Sequence, residues 1–133
     1  MKAIELLQKN PESSKLICSY YLEIMLESLK DDNLPEDFKA HVREQGIDED
    51  KIAAIIDGNP RNLFDFFDDQ SLFINIMTEK GKTFSYTIIT DTVSVGSTLM
   101  AKTRKEAEKE AIITAIGMLE TRLTNSIIDK ENS

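Results

Sequence analysis

Apolar residues in this chain recur every three to four positions as far as Gln70, and every second position after it. Leu72, Ile74 and Ile76 fall on one side of an extended segment, with Phe73, Asn75 and Met77 on the other. Phe84, Tyr86 and Ile88 alternate in the same way with Ser85, Thr87 and Ile89, the period of a strand. Val93, Val95 and Leu99 mark a third, weaker segment. Glu79-Lys80-Gly81-Lys82 reads as a hairpin connection in which Gly81 is free to take a positive φ angle, and Asp91-Thr92 as a second turn. Helical spacing then returns. Thr103 followed by Glu106 fits a capping box, and Ala107, Ala111 and Ala115 recur every fourth residue beside Ile112, Ile116, Leu119 and Leu123. Small residues in line let a helix axis lie close to the surface it covers. The pattern predicts an α+β fold: N-terminal helices, then a three-stranded antiparallel sheet with strands near 71–77, 83–90 and 93–100, covered by a C-terminal helix from about Arg104.

Before the change of period, helix start and stop signals divide the chain. Asn10-Pro11 opens a helix over 11–30, with Asn10 as cap and Pro11 as first helical residue. Its apolar face (Leu16, Ile17, Tyr20, Tyr21, Ile24, Met25 and Leu29) is widened by Leu22 and Leu26, so more than one neighbour is needed to cover it. Asn33-Leu34-Pro35 starts a second helix, carrying Phe38 and Val42, that stops at Gly46. Asp48 caps a short one that ends at Gly58, and Asn59-Pro60 begins another bearing Leu63, Phe64, Phe66 and Phe67. Residues 125–133 lose periodicity and read as a frayed tail.

A chain of 133 residues with 41% hydrophobic content can bury a real core as one domain with a helical extension. No apolar run approaches the roughly 20 residues of a membrane span. The start, Met1-Lys2-Ala3-Ile4-Glu5-Leu6-Leu7, lacks the pattern of a secretory signal. Cys18 is the only cysteine, which excludes an intrachain disulfide and suits a reducing compartment, so a cytoplasmic location is expected. The net charge is −8, with 7 basic and 13 acidic residues through Gly58 and 9 and 11 beyond it. That balance opposes a surface built for polyanions, whose affinity comes mostly from phosphate contacts.

The residues with chemical potential do not assemble into a reaction centre on sequence grounds. His41 is the sole histidine and lies among Asp37, Lys39, Arg43 and Glu44 on a charged helix. Cys18 sits beside Ile17 on an apolar face and reads as a structural thiol. Asp48-Glu49-Asp50 lacks the alternating ligands, central glycine and terminal glutamate of an EF-hand. Asp65, Asp68 and Asp69 read as the solvated face of a helix whose other residues are apolar. There is no phosphate-binding glycine loop. No enzyme activity, cofactor, metal or small-molecule substrate is expected.

The run Ala101-Lys102-Thr103-Arg104-Lys105-Glu106-Ala107-Glu108-Lys109-Glu110-Ala111 resembles the entry to the final helix of double-stranded-RNA-binding domains. The resemblance implies a helix, three antiparallel strands and a helix over 59–124, with 60–69 as the first helix; 1–58 reads separately as an N-terminal helical extension. The resemblance itself leaves 1–58 unaccounted for; it does imply phosphate contacts from Lys102, Arg104, Lys105 and Lys109. The chain departs from the family in three places. Glu108 stands where the last lysine of the motif belongs, the 79–82 loop lacks a Gly-Pro-x-His type of sequence, and Asp65, Asp68 and Asp69 lie on the proposed first helix. The function expected is therefore a non-enzymatic protein-interaction or self-association module on such a fold. Tyr20, Tyr21, Met25 and Leu26 are its candidate interface, and a protein partner or a second copy its ligand. The alternative is a weak binder of structured RNA through the basic helix end. A small antitoxin-like or regulatory domain shares the strand–strand–helix pattern and also predicts a protein partner.

Overall fold

The computed structural model describes residues 2–30, 35–97 and 100–131. Among the described residues, five helical segments precede the sheet: α1 (Ala3–Lys9), α2 (Pro11–Ser28), α3 (Glu36–Gln45), α4 (Glu49–Gly58) and a 3-10 turn (Pro60–Leu63) that runs into α5 (Phe64–Asp69). β1 (Phe73–Glu79), β2 (Thr83–Ile89) and β3 (Ser94–Gly96) follow, then α6 (Arg104–Glu131). The fold is α+β, with an antiparallel sheet in the order β1-β2-β3 and α6 packed across β2.

Local chemistry sets most of the boundaries. Asp48 Oδ1 accepts the N–H of Lys51 at 3.1 Å and caps α4. Gly46 ends α3 with φ +65°. Thr103 Oγ1 accepts Glu106 N–H at 3.1 Å, and the Glu106 carboxylate turns back to the N–H of Lys102 at 3.2 Å. The second half of the expected capping box thus reaches one residue further back. Gly81 and Lys82 take φ +82° and +63° between the paired residues Glu79 and Thr83, closing a hairpin that only residues tolerant of the left-handed region can make.

Three local expectations are corrected. Asn10 makes no side-chain bond to α2; its Nδ2 donates to Leu6 O at 2.8 Å, so its amide closes the preceding helix. That preceding helix, α1, carried no start signal strong enough to read in the sequence. The helix from Pro60 begins as 3-10 and becomes α-helical only at Phe64. The tail expected to fray from residue 125 is helical to Glu131, though residues 124–131 are exposed along their whole length. Residues 31–34 and 98–99, part of the expected second helix start and third strand, lie outside the described residues.

The N-terminal helices and the sheet share one core. Leu7, Ile17, Ile52, Ile56, Leu63, Phe66 and Phe67 are sealed together with Ile88, Ile112, Ile116 and Leu119. Helices α1, α2 and α4 reach this core from the side of α6 rather than from the sheet. Ala107, Ala111 and Ala115 are fully buried, as the close approach of α6 requires. Arg104 lies over the Phe84 ring at 5.4 Å, and Thr114 Oγ1 meets Tyr86 Oη at 2.7 Å. Helical spacing puts Ala107, Ala111 and Met118 on that same sheet-facing side. Among the described residues no helix is long and apolar enough to cross a membrane.

Candidate interaction surface

Because α6 covers one face of the sheet, strand alternation leaves the other face open. Phe73, Asn75, Met77 and Glu79 on β1 stand opposite Ile89, Thr87, Ser85 and Thr83 on β2, and of these only Ser85 is buried. Phe73, Met77 and Ile89 are 44%, 44% and 42% exposed, and Phe73 faces Ile89 directly across the strands. Val93 and Met100, in the segments flanking β3, are also exposed. Alternation was legible in the sequence; which of the two faces would stay uncovered was not.

The edge of the sheet is open as well. Phe84 exchanges backbone hydrogen bonds with Ala101, and Tyr86 O accepts from Ser97 N, so these residues point away from β1. By alternation Ser85, Thr87 and Ile89 bond to β1, and the N–H and C=O groups of Ile74, Ile76 and Thr78 project from its outer edge. Among the described residues none of these outward groups has a partner beyond the β1–β2 ladder.

The candidate helical interface residues are largely engaged within the chain. Tyr20 packs edge-on against Phe66, with ring centroids 5.3 Å apart, and against Tyr21 at 5.4 Å. Tyr21 donates its hydroxyl to Asn62 O at 2.6 Å. Burial first, then the neighbouring Tyr20 and Asp65, push the Tyr21 phenol up to about 12. Met25 and Leu26 are half-buried near the end of α2, and Leu26 borders a polar cleft with Glu23, Lys39 and Arg43.

The basic helix end is only partly available. Lys102, Arg104 and Lys105 are exposed, but Lys109 is paired with Asp57 at 2.8 Å. Glu108, one helical turn beyond Arg104 on α6, is 6% exposed, so the same stretch of helix carries a buried acid. Glu106 occupies a backbone donor that an anion would otherwise use. The Phe84–Ala101 bridge does bring the hairpin, with exposed Lys80 and Lys82, to the same end of the sheet as Lys102.

The Cys18 thiol borders a cleft of about 520 Å³ with Ser14, Lys15, Asp48 and Glu49. Its pKa is raised by burial and then by the Glu49 charge, the opposite of an activated nucleophile. His41 is exposed on α3. Among the described residues no group of three or more His, Cys, Asp or Glu side chains converges as a metal site would require. No protein-family model, curated protein or solved structure matches the chain.

Proposed function

We propose that this chain is a non-enzymatic protein-interaction module on a fold resembling the double-stranded-RNA-binding domain, and that it works through the uncovered side of its sheet. The observation that carries this reading is the exposed Phe73–Ile89 pair, with Met77 further along the same face, at an edge strand with free backbone donors and acceptors. Apolar side chains grouped on an open face mark contact surfaces, whereas scattered ones do not. An acidic chain meets no obstacle in binding protein. With Tyr20 and Tyr21 turned to internal contacts, the end of α2 offers only exposed Ile24 beside half-buried Met25 and Leu26 as a second apolar contact.

The second reading, weak binding of structured RNA, is favoured by the gathering of Lys80 and Lys82 with Lys102, Arg104 and Lys105 at one end of the sheet. Glu106, buried Glu108 and the Lys109–Asp57 pair work against it.

Sedimentation of the full chain from micromolar to millimolar concentration, and capture from its native lysate, test the first reading. Both are compared with a Phe73→Ser/Ile89→Ser variant. Association or capture that the variant loses supports the module. Tight, salt-sensitive binding of duplex RNA, with no association that depends on the apolar face, would replace it by the second reading.

A further inference from the structure

Resting on the interaction-module reading, we propose that the partner of the β1 edge is a second copy of this chain, the two β1 strands pairing antiparallel about a two-fold axis at Asn75. Three observations lead there. Natural sheets protect an exposed edge with proline, inward lysine, a bulge or a very short strand. β1 has none of these: Phe-Ile-Asn-Ile-Met-Thr-Glu pairs with β2 in unbroken register over its whole length, and its only charge is at its end.

The second observation is the match of side chains across the axis. With Asn75 opposite its own copy, the outward backbone groups of Ile74 meet those of Ile76 in the other chain. Phe73 then stands opposite Met77 on the open face, so two exposed apolar residues cover each other twice. Sliding the register by two residues to centre on Ile76 would set Phe73 against Glu79, which the apolar match disfavours.

The third is charge. The hairpin at the end of β1 carries exposed Lys80 and Lys82, while α5, just before its start, carries exposed Asp65, Asp68 and Asp69. None of these five forms a salt bridge within the chain among the described residues. Antiparallel pairing brings the lysines of each copy beside the aspartates of the other, whereas parallel pairing sets like charges together. An isologous contact repeats each such pair about its axis. The result is one continuous sheet twice the width of the three-stranded one, with α6 of both copies on the same side.

Sedimentation and light scattering of the full chain test the pairing. The expected result is a wild-type dimer, and monomers for Met77→Lys and Ile76→Pro that keep the wild-type circular dichroism. The Ile76 N–H projects from the free edge and meets Ile74 of the other copy in this register, so proline there is tolerated on an edge strand but not by a partner strand. Lys80→Glu/Lys82→Glu should weaken the dimer by about tenfold or more, and adding Asp68→Lys/Asp69→Lys should restore it. A wild-type chain that stays monomeric at millimolar concentration would overturn self-pairing. So would a dimer indifferent to Ile76→Pro. In that second case, loss of association in Phe73→Ser/Ile89→Ser would leave the interaction module standing while the β1 dimer falls.

Discussion

The carboxylate of Glu120, on α6, accepts the backbone N–H of Ser13 at 2.7 Å through one oxygen and that of Glu12 at 3.1 Å through the other. A side chain more than a hundred residues away thus satisfies the N-terminal donors of α2 that Asn10 leaves unmet. Ser13 Oγ returns a bond to Ile116 O at 3.1 Å, fixing the register of the two helices. Glu120→Gln keeps one acceptor and loses the charge that complements the helix N-terminus, and Glu120→Ala loses both. The alanine variant should be destabilised by about 1–2 kcal/mol and the glutamine variant by less. Urea unfolding of the three proteins checks this order; equal midpoints would show that water replaces the carboxylate without loss.

Ala111 sits fully buried on the sheet-facing side of α6, one turn before the Thr114–Tyr86 bond. Replacing it with leucine inserts a branched side chain where the helix axis approaches β2. The cost should be about 1–3 kcal/mol, read as a lower melting temperature. An unchanged melting temperature would mean that the helix is turned so that another residue occupies the contact.

Tyr21 carries a prediction about alkaline stability. Its phenol ionises near its ordinary value of 10.0 in the unfolded chain and is pushed up to about 12 in the folded one. Between those values the unfolded state binds fewer protons, so stability falls as pH rises. Below pH 10 this contribution is fully present. Tyr21→Phe should flatten the decline between pH 10 and 12, while costing about 1 kcal/mol at neutral pH through the unpaired carbonyl of Asn62. Phenolate absorbance against pH, compared with unfolding midpoints, reads both effects.

Duplex RNA should bind weakly at physiological salt. Lys102→Ala/Arg104→Ala/Lys105→Ala should change that affinity little, because Glu106 and Glu108 already offset the patch. Lys109→Ala should change it least, since its ammonium is held by Asp57. A salt titration with the wild type and the triple variant decides the matter. A steep salt dependence abolished by the three alanines would favour the RNA reading.

What the sequence by itself determined were features governed by residues within about one helical turn or one strand pair of each other. The change of period after Gln70, the Asp48 and Thr103 caps, the stop at Gly46 and the positive φ at Gly81 all follow from backbone sterics and near-neighbour hydrogen bonds. The same rules separated the two sides of β1 and β2 and placed Ala107, Ala111 and Ala115 in one stripe. Only the tertiary structure decided which neighbour covered each side. Nothing local distinguishes Asn10 capping α2 from Asn10 closing α1, or pairs Lys109 with Asp57. Nor does apolar spacing reveal that Tyr20 and Tyr21 turn to Phe66 and Asn62 while Phe73, Met77 and Ile89 stay in the open. Periodicity reports that a side is apolar. Whether that side is buried depends on how whole helices and the sheet share one core, and that competition is resolved only when distant segments meet.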